Sequence, residues 1–439
     1  MDQKFSAIIL AAGRGTRMKS SLPKLLHKVL GVTIIDRVIS NIRAAGADDL
    51  IVVVGHDAKK LSDHLADQDI CLVQQKEQLG TAHALLCALD QQQPRHDDVM
   101  VVNGDLPDLD PGELGLLMQS HRDCDAAFTI SCCEVEHPAG MGRIVRCSEG
   151  AIERIVEQDD ADTSVQEIKE VNLGIYSFDA PRVQSTLDEM VKTDLGGESP
   201  SKESYLTRLV EMLIDAGIAV STWSAAGNQQ FLQVNDRLGL ARASRVLQDR
   251  LQSYLLSEGV TIVDPVTTWI EFDVEIGSDT IIHPQTVIRR GVKIGSQCEI
   301  GPFAHLREGT VIEDNVKVGD FVEIKDSTLE QGVRAKHLAY LGNATVGENA
   351  NIGAGAVVAN YDGKVKSPTR IGSGAFIGSG SVIVAPANIG DDATVGAGAV
   401  VPPGQDVEPG STVVGVPARK IKRKDDSIPE ICEDERGIR

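Results

Sequence analysis

Two different periods of apolar residues divide this chain. From residue 5 to about 230, compact apolar runs such as SAIILAA, LIVVVG and DVMVVNGD alternate with stretches of helical spacing, for example Thr33 to Ala45 and Thr81 to Leu89. Runs of that length without polar alternation read as strands buried on both faces. Their alternation with helices predicts an α/β domain, a parallel or mixed sheet covered on both sides. Ligands of such sheets sit beyond the C-terminal ends of the strands, so motifs there carry the chemistry. Residues 236–256, DRLGLARASRVLQDRLQSYLL, hold no turn signal and predict a helix joining the two halves.

Beyond that helix the period becomes six. Ile276, Ile282, Ile288, Ile294, Ile300, Leu306, Ile312, Val318 and Ile324 follow at six-residue intervals. The register resumes at Val346, Ile352 and Val358, and again from Ile371 through Ile377, Ile383, Ile389, Val395, Val401 and Val407 to Val413. A hexapeptide repeat predicts a parallel β-helix, each aliphatic residue pointing inward and stacking on its equivalent in the next coil. Small residues two places earlier are expected at the corners. Gly after the aliphatic residue, as in Ile276-Gly277 and Ile294-Gly295, is expected to supply a positive φ. Two interruptions, around Lys336-His337-Leu338-Ala339-Tyr340 and around Asn360-Tyr361-Asp362-Gly363, read as breaks on a functional face. His337 and Tyr361 would then stand where stacking constrains the chain least.

Composition fits two globular domains: of 439 residues, 42% are hydrophobic and 24% charged. The formal charge of -21 argues against nucleic acid and acidic membrane surfaces as partners. Anionic substrates remain admissible wherever cations are concentrated. The eight cysteines form no CxxC pair, and Cys132 and Cys133 cannot share a strand face. They read as reduced thiols of a cytoplasmic protein. The start, MDQKFSAIILAAG, lacks the basic opening and long apolar run of a secretory signal. No stretch reaches the roughly 20 apolar residues that span a bilayer.

The first strand runs into Gly13-Arg14-Gly15-Thr16-Arg17-Met18 and then Leu22-Pro23-Lys24. A glycine-rich turn after a strand lets backbone amides approach phosphates. The segment departs from the dinucleotide fingerprint at Met18, and it lacks the Gly-Lys-Ser/Thr ending of a P-loop. Arg17 and Lys24 are candidate catalytic cations, placed to stabilise charge growing on a pyrophosphate leaving group. The strand ending in VVNGDLP offers Asp105, a carboxylate suited to Mg²⁺ together with phosphate oxygens. Asn235 is the candidate second ligand. Taken singly, each of these motifs is equally compatible with a solvated turn.

The segments LAAGRGTRMKSSLPKLLH, QKEQLGTAHA, NGDLP, GMGRI, IVEQDDA, EVNLGIY and QVNDR occur in the order found in sugar-1-phosphate nucleotidyltransferases. FAHLREG, FVEIKDS, KHLAYLGN, NIGAGAVVANYDG and FIGSG follow in the repeat region. Together they resemble the family of bifunctional N-acetylglucosamine-1-phosphate uridylyltransferases and glucosamine-1-phosphate N-acetyltransferases over nearly the whole chain. The resemblance implies a Rossmann-like nucleotidyltransferase domain at 1–230, a linker helix at 231–258, a left-handed β-helix acetyltransferase domain at 259–420 and a charged tail at 421–439. It implies that Leu10, Ala11, Ala12 and Gly13 join the substrate site and that Gln75, Gly80 and Thr81 contact uracil. Gly140, Glu157 and Asn172 would hold N-acetylglucosamine phosphate, and Asp105 and Asn235 would hold Mg²⁺.

In the β-helix the same resemblance makes His337 the general base, with Glu323 helping to fix it. Arg307, Lys325 and Lys366 would bind the sugar phosphate, and Tyr340 and Asn351 the sugar. Ala354, Asn360, Tyr361, Ser379 and Ala397 would line the acetyl-CoA site. The implied substrates are UTP, acetyl-CoA, glucosamine-1-phosphate and N-acetylglucosamine-1-phosphate, and the implied assembly is a homotrimer. The chain departs from the family at Leu173, where Thr is common, at Arg208, where an acid is common, and at Asn103, where an aromatic is frequent. Gly415 falls where a basic CoA-binding residue is usual, with Arg419 or Lys420 as substitutes. Two other readings compete: a nucleotidyltransferase whose β-helix only scaffolds, and a trimerising solenoid with an inactive nucleotide domain. His337 with Asn360-Tyr361 discriminates against the first, and Arg17, Lys24 and Asp105 against the second.

Overall fold

A computed structural model of the chain describes residues 4–55, 59–196, 203–225 and 232–421. The chain divides into two compact units between Leu247 and Gln248, a point inside the helix Arg237–Ser257. The charged tail beyond Ile421, with Cys432, and Lys202 lie outside the described residues.

The first unit is built on a mixed sheet. Phe5–Ala11 runs parallel to both Asp98–Asn103 and Ala47–Val54, and Cys71–Gln74 follows on the outer side. Glu170–Asp179 is inserted antiparallel between Asp98–Asn103 and Phe128–Glu134. Ile8, Ile9, Ile51, Val52 and Val53 are wholly buried, as expected of strands covered on both faces. The covering helix Ile34–Ala44 starts where Thr33 accepts from the Asp36 amide, and Pro111–Asp123 where Asp110 accepts from that of Glu113. Each cap satisfies an amide that the first turn leaves without a partner. The parallel strands end together, which brings Leu10, Asn103 and Gln75 to one rim.

The second unit is a left-handed parallel β-helix, a Rossmann-like α/β unit having preceded it. Its short strands form three sheets of 10, 8 and 8 strands, parallel throughout except where Arg419–Lys420 pairs antiparallel with Thr412–Val414. The six-residue aliphatic positions point inward; Ile282, Ile288, Ile300, Leu306 and Ile324 are fully buried. Thr280, Thr286, Val292, Cys298, Ala304 and Thr310, two places earlier, are buried with them.

Two details differ from the sequence reading. Gly277 and Gly295 are not the residues with positive φ. That conformation falls two places later, at Asp279, Gln285, Gln297, Phe303, Asn315 and Phe321. The glycines are required because the next coil passes too close: a Cβ on Gly295 would lie 2.8 Å from the Asp314 amide nitrogen. Nor does the stacking break at His337. Leu329, Ala335 and Leu341 continue the inward column at 0% exposure. The steps Ile324 to Leu329 and Leu341 to Val346 each drop one residue, so successive coils pair Lys317 with Arg334 and Thr328 with Thr345. Small Ala335 and two contracted corners disguise an unbroken helix. The second interruption is a true excursion between Val357–Ala359 and Thr369–Ile371, pinned by a bridge from Tyr361 to Lys366. Among the described residues no helix is long and apolar enough to cross a membrane.

Candidate active sites

In the first unit a cavity of about 520 Å³ opens at the rim of the parallel strands. Leu10, Ala11, Ala12, Gly13, Arg17, Lys24, Gln75, Gly80, Thr81, Asp105 and Asn235 all line it. Lys24 Nζ donates to Asp105 Oδ2 at 2.5 Å and to Asn235 Oδ1 at 3.4 Å. Segments 81 and 211 residues from Lys24 thereby converge on one ammonium. Asp105 Oδ1 is buried without a hydrogen-bond partner. An orphaned carboxylate oxygen is costly unless a ligand or ion completes it. Among the described residues no group of three or more His, Cys, Asp or Glu side chains is arranged to hold a metal ion by itself. The Asp105–Asn235 donor set is the smaller kind that Mg²⁺ uses when phosphates and waters complete its shell.

The far wall comes from Gly80 and Thr81 at the start of helix Thr81–Gln91. Gly80 has φ +100°, and a Cβ there would collide with the Ser204 backbone. The segment at 204–207 is laced onto this turn: Ser204 N donates to Leu79 O, Ala82 N to Ser204 O, and Leu206 N to Thr81 Oγ1. With the residue before it, this segment brings Glu203 and Tyr205 into the cavity lining. Thr207 then donates to Glu157 Oε1 at 3.0 Å.

Gly140, Glu157 and Asn172 stand apart from that lining. Glu157 and Asn172 flank Gly142, while the Gly140 amide donates to Gln158 Oε1. Asn172 is engaged at both ends, donating to Tyr176 Oη and accepting from the Gly174 amide. Two family departures have structural partners. Arg208 pairs with the buried Asp194, and Asn103 lies against Gly174. Sequence reasoning missed Gln78, which donates to the Ala12 carbonyl and accepts from Arg14. Nothing in its spacing marked it.

In the second unit one corner of the β-helix carries a column. Asp320, His337, Ala354, Ser379 and Ala397 each stand two places after an inward residue in successive coils. Backbone bonds tie the column together: Leu338 N to Asp320 O, Gly355 N to His337 O, Gly380 N to Ala354 O and Gly398 N to Ser379 O. His337 Nδ1 lies 2.5 Å from Asp320 Oδ1, and Nε2 has no hydrogen-bond partner among the described residues. Glu323 does not fix His337. It stacks under Tyr340 and accepts from Arg307 at 2.8 Å, because the 17-residue coil brings Asp320 under the imidazole.

The adjacent sheet face gathers cations. Lys366 crowds Lys325 and lowers its pKa from the ordinary lysine value. Arg307 stands one coil below Lys325. Like charges held together mark a place where an anion would be stabilised. Tyr340 Oη donates to Asn360 Oδ1 at 3.3 Å, and Asn360 Nδ2 to Asn343 Oδ1 at 2.6 Å, so the excursion is fastened beside this cluster. Tyr361, on that excursion, is exposed. Asn351 lies on a different sheet, between Arg334 and Phe376, and does not join the cluster.

Comparisons with known proteins show the family of each unit. Residues 7–170 match the family of MobA-like NTP transferase domains. Residues 291–326 and 368–403 match the bacterial transferase hexapeptide (six repeats). The gap between those two stretches contains the contracted coils and the excursion. The bifunctional protein GlmU of Trichlorobacter lovleyi is 39% identical over 406 residues, covering 84% of this chain and 87% of that protein. GlmU of Syntrophomonas wolfei is 39% identical over 399 residues, covering 83% and 88%. GlmU of Listeria monocytogenes is 36% identical over 403 residues, covering 84% and 87%. An α/β transferase unit followed by a hexapeptide β-helix, alike over most of both chains, makes this chain a member of the bifunctional GlmU family.

Proposed function

We propose that the chain makes UDP-N-acetylglucosamine in two steps at two separate sites. As a GlmU-family member it is a bifunctional acetyltransferase and uridylyltransferase. The observation that carries the assignment of residues is the convergence of Lys24, Asp105 and Asn235 in a cavity also lined by Gln75, Gly80 and Thr81.

In the uridylyl step a phosphate oxygen of N-acetylglucosamine-1-phosphate attacks the α-phosphorus of UTP in line, and the bond to pyrophosphate breaks. Positioning and charge neutralisation carry such a reaction without a covalent enzyme intermediate. Lys24 and Arg17 offset charge on the transferring and leaving phosphates. Asp105 and Asn235 hold Mg²⁺, which when bound supplies further charge neutralisation at the phosphates. An adjoining recess of about 750 Å³ adds Lys59, Lys60 and Lys76, cations suited to a polyphosphate. Glu157, Asn172 and Gly140 lie beyond the 203–207 segment and take the sugar.

In the acetyl step His337 Nε2 takes a proton from the 2-amino group of glucosamine-1-phosphate. The amine nitrogen forms a bond to the thioester carbon of acetyl-CoA, and the sulfur leaves with the bonding pair. Asp320 holds the imidazole in the tautomer whose Nε2 lone pair is free. Arg307, Lys325 and Lys366 bind the sugar phosphate, with Tyr340 on the sugar. Ala354, Ser379, Ala397, Asn360 and Tyr361 line the path of acetyl-CoA. Lys420 is engaged with Glu408, so Arg419 is the basic residue available near Gly415.

We assign the assembly as a homotrimer. Phe303 and Phe321 stack at 4.9 Å on an outer corner next to the exposed Leu338, an apolar column that association would cover. The test is incubation with glucosamine-1-phosphate, acetyl-CoA, UTP and Mg²⁺, with mass analysis of products. A chelator, or Asp105→Ala, should stop pyrophosphate release while CoA release continues. Undiminished uridylyl transfer by Asp105→Ala would overturn the metal assignment.

A further inference from the structure

Gln75 follows the strand Cys71–Gln74 and is only 2% exposed. Its Nε2 lies 3.0 Å from the Gly80 carbonyl oxygen. A carbonyl oxygen only accepts, so the side-chain atom facing it must be the amide NH₂. The same Nε2 lies 3.0 Å from His83 Nδ1. An NH₂ group only donates here, so Nδ1 must be the unprotonated ring nitrogen. The ring hydrogen then sits on Nε2, which faces Cys87 Sγ at 3.6 Å. Burial lowers the His83 pKa from its ordinary value, outweighing the Glu77 carbonyl and charge, and this favours the neutral ring that the geometry requires.

Both amide hydrogens of Gln75 are therefore spent inside the protein. Oε1 has no partner among the described residues and is not sealed from solvent, while Gln75 lines the cavity. The side chain offers the ligand an acceptor only. Uracil presents an N3–H donor to such a group; cytosine presents a lone pair at the same ring position. We infer that His83 is a positioning residue that locks the Gln75 amide with its oxygen toward the nucleobase, and so makes the uridylyl site select uracil over cytosine. The inference rests on the reading of this cavity as the UTP site. Without His83 the amide loses one of its two restraints and can present NH₂ to cytosine N3.

The test compares kcat/KM for UTP and CTP in the wild type, His83→Leu, His83→Asn and Gln75→Ala, with N-acetylglucosamine-1-phosphate as acceptor. His83→Leu keeps apolar bulk on the helix and removes the acceptor. It should lower the UTP/CTP ratio about tenfold, the equivalent of one hydrogen bond, mainly through KM. His83→Asn restores an acceptor near the Nδ1 position and should restore most of the ratio. The calorimetric transition of the first unit reports whether each variant is folded, and acetyl transfer in the other unit, expected at the wild-type level, normalises for intact protein. If Gln75→Ala lowers the ratio and His83→Leu does not, the positioning role is overturned while the uridine site stands. If His83→Leu fails to fold, a His83→Asn variant with a collapsed ratio and full stability overturns the role equally. If Gln75→Ala leaves the ratio unchanged, the base-reading assignment falls and the inference falls with it.

Discussion

Removal of the Asp320 carboxylate should slow acetyl transfer much less than removal of the imidazole it holds. The two groups meet at 2.5 Å, and their side chains are 58% and 37% exposed. A hydrogen-bonded pair that open to water, which becomes an ion pair once the ring takes the substrate's proton, contributes about 0.2–1 kcal/mol. Charge assistance and the short contact argue for the upper end, and about 1 kcal/mol corresponds to roughly fivefold in rate. Loss of the base itself costs about 10²–10⁴-fold. Asp320→Ala should thus lower kcat for acetyl transfer about fivefold, with KM for both substrates little changed. Asp320→Asn should fall between it and wild type, because its amide oxygen still accepts from Nδ1–H. The assay is thiol release from acetyl-CoA with glucosamine-1-phosphate, and pyrophosphate release from UTP is the internal control. Combining Asp320→Ala with His337→Ala should cost nothing beyond His337→Ala alone, since the carboxylate acts only through the ring. A double variant slower than His337→Ala, or Asp320→Ala as slow as His337→Ala, would refute this account.

Gly80→Ala sets a Cβ against the Ser204 backbone at a φ of +100°, a strain of about 1–3 kcal/mol before any clash. Uridylyl transfer should fall and the first unit should melt earlier, while acetyl transfer is kept; unchanged kinetics would show that the 204–207 segment is not needed there. Gly319→Ala meets the Lys336 carbonyl one coil above, beside the Asp320–His337 pair. Overpacking of this kind costs roughly 1–3 kcal/mol, so calorimetry should show a lower transition for the second unit together with slower acetyl transfer. Glu170 makes two bonds to Arg146, at 2.7 and 2.5 Å, and that pairing holds its pKa below the ordinary 4.5. A depressed carboxylate pKa contributes stability above 4.5 and loses it as pH falls through the folded value. Glu170→Gln should therefore lower stability at neutral pH and flatten its fall in acid. An acid profile parallel to wild type would exclude Glu170 as a contributor.

Much of this protein was legible in one dimension. A six-residue period determines a β-helix because equivalent aliphatic side chains stack coil on coil. The strand-end motifs at Gly13 to Lys24 and at Asp105 were readable because parallel strands end at a common rim. The partners of those residues were not. Asn235 meets Lys24 across 211 residues, a distance that no local pattern encodes. Arg208 departs from its family, yet tertiary packing supplies Asp194, held also by Ser204.

His337 shows the division most clearly. Its neighbourhood motif is visible in the sequence, but the resemblance points to Glu323 as its partner and the interrupted period to a break in the repeat. Both assignments turn on coil length. In an 18-residue coil Asp320 would lie beneath Leu338; the one-residue contraction between Ile324 and Leu329 moves it beneath His337. Sequence by itself determined which residue types were available along each face, because side-chain chemistry and periodicity are local. Only the tertiary structure decided which of them meet, because the vertical neighbour of any residue in a solenoid depends on the summed length of the turn between them.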